Sequence, residues 1–265
     1  MTPIIPRGLG WIQIRAIAVN TFRESVRSRV FYILMAFTAA MVLFSGVMAL
    51  LTIGSRSKII IDLGLTFISF FTVLTAIFVG IGLIYQEIEK KTIYNILSKP
   101  LSRMHFLVGR YIGLMAVLAA NLLAMVAILA VVLILFEGFT WKIFIAAGFI
   151  YLELAVITAI ALFFSSVTSP VVSALCTGAF YVVGHTSIAL PDMLIPRLNG
   201  AVTKKIVEVL YHLLPDLNLL NVTDQVAYGL PLDPGFVTKA VLYTAVYVVL
   251  LLTGACLIFR RRDLV

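Results

Sequence analysis

Charge is scarce in this chain: Asp, Glu, Lys and Arg make up only 12% of its 265 residues. A soluble domain carries roughly 25% charged residues, so an ordinary water-soluble fold is excluded. Cysteine is nearly absent as well. Cys176 and Cys256 both fall inside apolar runs; without zinc spacing they read as small buried hydrophobes, not as a disulfide framework. No G-x-x-x-x-G-K-[ST] phosphate loop and no Gly-Lys pair occurs, so nucleotide cannot be cradled by that route. No Ser-His-Asp set, nucleophile elbow, H-E-x-x-H, metal-ligand set or paired carboxylates can be assembled on one side of a membrane. The sequence therefore gives no support to an enzyme. Fixed-period repeats and low-complexity tracts are missing too.

What is present is apolar: 62% of the chain, with a mean hydropathy of +1.11. A helix crossing a bilayer needs about 20 residues. Six stretches satisfy this, about 30–53, 63–85, 111–136, 142–165, 171–190 and 239–259, and they predict an all-α polytopic integral membrane protein forming a single transmembrane domain over 1–265. The first sustained apolar run begins near Val30, behind a group of arginines, and is too long for a signal h-region. With the amino terminus inside, thirteen Lys and Arg residues face the cytoplasm and seven the other side. That bias puts both termini in the cytoplasm. The net charge of +8 sits mostly at the flanks of the spans, where it sets topology and does not imply nucleic acid. The match of Asn221, Val222 and Thr223 to a glycosylation acceptor reads as chance.

Two segments outside the spans have their own pattern. In 11–29, Trp11, Ile14, Ala18, Phe22 and Val26 recur at helical spacing, with Arg15, Arg23 and Arg27 off the stripe. This predicts an interfacial helix at headgroup level; the alternative is an extension of the first span into water. The extracytoplasmic segment 191–238 carries turn signals at Pro191, Pro196, Gly200, Pro215, Gly229 and Pro231. Val202, Ile206, Val209, Leu210 and Leu213 within it predict a short amphipathic helix.

Between the second and third spans lies the one strongly polar stretch, residues 86–113, with seven charged side chains: Glu87, Glu89, Lys90, Lys91, Lys99, Arg103 and Arg110. It must lie in water at one membrane face. Glu87 and Lys91 are an i,i+4 pair in the favourable order. Pro100 disfavours helix at Lys99. Ser102 can cap a new helix, with Leu101 and Phe106 as a hydrophobic staple. The pattern is helix, sharp corner, helix. A solvated loop bearing topogenic charges is the plainer reading of the same residues.

Glu87, Glu89, Thr92, Leu97 to Arg103 (LSKPLSR) and Gly109 to Gly113 (GRYIG) together resemble the signature of type-2 ABC transporter permeases. More narrowly, they resemble the six-span group that includes the permease of the copper-site maturation system of nitrous oxide reductase. Asn20 to Glu24, Leu162 to Ser166 and Phe259 to Asp263 agree with it, so the resemblance runs from about Arg15 to the carboxyl end. Segment 191–238 matches no substrate-defined subgroup. The resemblance implies that 86–113 is a coupling region docking on a separate P-loop ATPase, itself a dimer, which binds ATP and Mg²⁺; this chain binds no cofactor directly. Glu87, Glu89, Lys90, Thr92, Lys99, Pro100, Ser102 and Arg103 are the coupling candidates. It also implies a second permease half, as a homodimer or close heterodimer, in the inner membrane of a prokaryote, with a periplasmic accessory protein as a further candidate partner. Thr72, Ala76 and Gly80, and Ala116, Ala120 and Ala124, are small-residue faces for packing, within one subunit or between two.

Coupling has a mechanical requirement. The contact with the ATPase must differ in energy between two arrangements of the spans. A rigid proline-ended corner can transmit a rigid-body movement where a floppy loop cannot, and its charges can fix docking register and partner choice.

Glu153 is the sole acidic residue well inside an apolar span, where an ionisable group is costly and usually functional. His185 on the fifth span is its candidate partner. At about 1.5 Å per residue from the turn between Ser165 and Pro170, both lie roughly 20 Å from the cytoplasmic face. They either pair, hold the bundle or line a path, or else Glu153 is protonated and satisfied by nearby hydroxyls. The competing function is an ATP-independent channel or secondary transporter with Glu153 and His185 as an ion or proton relay.

Overall fold

The computed structural model describes residues 9–51, 55–89, 103–186, 215–231 and 233–261. The described chain is helical, without strands: α1 (Leu9–Val26), α2 (Arg29–Leu51), α3 (Arg56–Glu89), α4 (Arg103–Leu135), α5 (Lys142–Val167), α6 (Pro170–Thr186), a 3-10 turn (Leu217–Leu220), α7 (Thr223–Ala227) and α8 (Pro234–Arg261). Among the described residues, five helices are long and apolar enough to cross a membrane: α2, α3, α4, α5 and α8. The apolar α6 has 17 described residues, and the rest of the 171–190 stretch lies outside the described residues. So does the amphipathic helix expected between Val202 and Leu213.

Helix α5 is the axis of the bundle. In its most apolar stretch 72% of the residues are buried, against 11% for α8. It packs against α3, α4, α6, α7 and α8. Two tyrosines lace it to α4: Tyr111 Oη donates to the Ala155 carbonyl (3.2 Å) and Tyr151 Oη to the Met115 carbonyl (3.4 Å). These crossed bonds fix α4 and α5 as antiparallel neighbours. Phe149 stacks on Phe236 at 5.8 Å, while Phe163 lies beside Gly254, so α8 runs parallel to α5.

The ends follow local chemistry. α5 stops at Val167, and Pro170 opens α6, where its missing N–H removes nothing the first turn could have bonded. α4 ends with Glu137 in the left-handed region (φ 55°) and the Gly138 N–H on the Leu133 carbonyl at 2.9 Å, a Schellman closure. α7 closes the same way through Gly229 (φ 72°), with Leu230 N–H on the Gln225 carbonyl.

Two boundaries depart from the sequence reading. α3 begins at Arg56, seven residues before the expected 63, because Arg56, Ser57 and Lys58 make a polar first turn, followed by Asp62 in the second, that hydropathy cannot see. α1 ends at Val26, and a turn at Arg27 and Ser28 separates it from α2, so it is no extension of the first span.

α1 packs on the bundle by a face that includes small polar residues. Trp11 is 74% exposed, whereas Thr21 and Ser25 are buried. The cause sits on α4. A Cβ on Gly109 would meet Ile17 Cβ at 2.9 Å and the Ile14 carbonyl oxygen at 3.0 Å; one on Gly113 would meet the Ala18 carbonyl oxygen at 2.6 Å. Two glycines four apart let the backbones close up, with Ile17 and Thr21 of α1 seated against them. Phe22 and Val26 instead pack beside Phe31, Val79 and Leu114.

Candidate functional site

The corner end of the bundle is where α3 leaves and α4 returns. Glu87 and Glu89 fall in the last turn of α3, and Arg103 opens α4. Lys90, Thr92, Lys99, Pro100 and Ser102 lie outside the described residues, as does the Leu101 half of the expected staple. Beside this corner the glycine seam holds α1 along the first three turns of α4, from His105 next to Gly10 to Gly113 next to Thr21. Arg110 is buried on the same stretch, with its guanidinium 5.5 Å from the centre of the Phe106 ring. A polar corner is thus tied to a backbone-to-backbone contact and, through Tyr111, to the central helix.

The second candidate lies deeper. Glu153 on α5 is 2% exposed. His185 Nε2 stands 2.7 Å from its Oε1, and Ser69 Oγ of α3 donates to its Oε2 at 3.1 Å. With the carboxyl group ionised, the imidazole N–H is the donor. One carboxylate therefore joins three helices. The Tyr181 ring meets the His185 ring edge-to-face at 4.8 Å, and Asn218 Nδ2 donates to the His185 carbonyl at 2.7 Å.

Asn218 belongs to a cap that covers this end of the bundle. Leu217, Leu220, Val222 and Val226 are buried in the core. The Asp216 N–H donates to Tyr243 Oη at 2.6 Å, and Lys142 Nζ donates to the Gly229 carbonyl at 2.8 Å. Lys58 lies 5.3 Å over the Tyr228 ring. Between the cap and Glu153, α3, α5 and α6 leave a cavity of about 260 Å³. Among the described residues no three His, Cys, Asp or Glu side chains gather as a metal site. Sequence reasoning placed Glu153 and His185 at one depth; it missed Ser69, Tyr181 and Asn218, ordinary polar residues with no spacing signal.

The small-residue faces divide. Thr72, Ala76 and Gly80 are buried inside the subunit, whereas Ala116, Ala120 and Ala124 are exposed along α4. Cys176 and Cys256 are free thiols.

These features define a multi-pass helical membrane protein with a polar corner at one end and a self-made cap at the other. The sequence model of the ABC-2 family transporter proteins matches residues 15–264, and the chain belongs to that family. The family consists of transmembrane subunits of ABC transporters, generally non-catalytic and generally working with an ATPase partner. None of the curated proteins compared with the chain matches it.

Proposed function

We propose that this chain couples ATP hydrolysis by a separate P-loop ATPase dimer to substrate export or to mechanical signalling across the membrane. In this reading it has six spans, with α6 continuing beyond Thr186 as the fifth, an interfacial α1, and both termini in the cytoplasm of a prokaryote, in the inner membrane. Residues 86–113 dock on the ATPase, which binds ATP and Mg²⁺. A second permease half, identical or closely related, completes the unit, and a periplasmic accessory protein is a further candidate. The narrower kinship is with the six-span group that includes the nitrous-oxide-reductase maturation permease.

The observation that carries the reading is the seam of α1 on α4 beside the corner. A docking element needs stiff connections to transmit displacement, and this end has two: α1 through Gly109 and Gly113, and α5 through Tyr111. Family membership favours this reading over the ATP-independent channel or secondary transporter. The exposed Ala116, Ala120 and Ala124 support a partner subunit in contact with α4.

The test is co-purification with the ATPase. Reversing charge at Glu87 and Glu89 together releases the ATPase while the spans remain inserted. Unchanged assembly and unchanged ATP-driven activity overturn the coupling role.

A further inference from the structure

The cavity beneath the cap has a one-sided chemistry. Among the described residues its wall holds the Glu153 carboxylate and no Lys or Arg. Glu153 accepts from His185 and Ser69, which uses one lone pair on each oxygen and leaves others free. The rings of Phe67, Phe70 and Tyr181 line the same space, and aromatic faces attract cations. Thr66 is exposed on the wall and the His185 side chain is 24% exposed, while that of Glu153 is 3% exposed. The space therefore opens beside Thr66 and ends on a buried carboxylate.

We propose that this cavity is a binding site for a small alkylammonium group. A buried carboxylate within a bundle is costly unless a positive charge meets it. Among the described residues the side chain that meets it is His185, and an imidazole becomes positive only by taking up a proton. A ligand ammonium supplies that charge directly, meets the Glu153 carboxylate by N–H donation if it is primary and by charge alone if it is quaternary, and sets its alkyl groups against the aromatic rings. Pockets for drug-sized ligands span roughly 300–1,000 Å³. At about 260 Å³ this one takes a headgroup-sized amine, and its affinity falls in the micromolar to millimolar range expected of few heavy atoms. The site lies within one subunit, so the proposal does not rest on ATPase coupling.

The experiment uses the full chain in nanodiscs of phosphatidylglycerol, titrated by calorimetry with choline, ethanolamine and 3,3-dimethylbutan-1-ol, the uncharged isostere of choline. Saturable binding of the two cations is expected, with none for the uncharged isostere. Glu153→Gln weakens amine binding at least tenfold, and Thr66→Leu, which fills the wall without touching the carboxylate, weakens it too. Repeating the titration in phosphatidylethanolamine nanodiscs assigns the source: competition by the lipid marks a headgroup site, and unchanged binding marks a site for free amines. Equal binding of choline and its isostere, full binding by Glu153→Gln, or no saturation with wild type overturns the proposal. Should Glu153→Gln fail to fold, the isostere comparison and Thr66→Leu decide it.

Discussion

Gly113 and Thr21 stand so close that a methyl group on the glycine would lie 2.6 Å from the threonine Cβ. The Ala18 carbonyl is equally near, so the obstacle is backbone and Cβ, neither of which can swing away. Gly113→Ala is expected to lower stability by about 1–3 kcal/mol, the usual cost of overpacking, and Gly109→Ala acts in the same direction. Gly148, with open space around its Cα, is the control. Gly148→Ala should leave the melting temperature unchanged or raise it, because alanine is the better helix former by about 0.5–1 kcal/mol. Thermal unfolding in detergent reads all three. Equal behaviour at Gly113 and Gly148 would show that the seam is not tight.

Glu153 and His185 form a pair whose members should not act additively. Glu153→Leu leaves an imidazole facing an apolar wall, and His185→Leu leaves the carboxylate with Ser69 alone. The double variant removes both problems at once. A double-mutant cycle should therefore give a coupling energy of about 0.5–3 kcal/mol, as contacting groups do. Additive losses would mean that the 2.7 Å contact contributes nothing to the fold.

The cap should loosen in proportion to the burial of its ties. Asn218→Ala removes a part-buried bond to the His185 carbonyl, worth about 1 kcal/mol net. Lys142→Ala removes a bond made in the open, which water largely replaces. Hydrogen exchange across 215–231 should speed up clearly in the first variant and little in the second. The opposite order would sink this account of the cap.

Cysteines at Ala116, Ala120 and Ala124 should form cross-links between copies, or with a related half, when oxidised in membranes. Cysteines at Thr72 and Ala76 should not, because that face is buried inside the subunit. Cross-linking from α3 but not from α4 would move the subunit contact elsewhere.

Much of the fold was legible because a span announces itself by 20 or so apolar residues in a row. The Pro170 turn and the depth of Glu153 could both be counted along the chain. The seam was not legible. Thr21 and Ser25 look like solvent residues until they are set against two glycines some ninety positions away, and no local period carries that information. Ser69 was invisible for a related reason: a serine inside a span usually bonds its own helix, as Ser45 and Ser166 do. Only the turn of α3 toward α5 gives Ser69 a carboxylate instead. The early start of α3 was hidden by the polar character of its first turn.

The cap has a bearing on traffic. Any route through the middle of one subunit must first lift a plug seated by Leu217, Leu220, Val222 and Val226. Re-exposing four such side chains costs roughly 6–12 kcal/mol at about 1.5–3 kcal/mol each, before the ties of Asn218 to His185 and of Asp216 to Tyr243 are broken. A bulky cargo therefore meets a closed lid over the bundle, and if two permease halves pair as proposed, the cheaper lane for it runs between them.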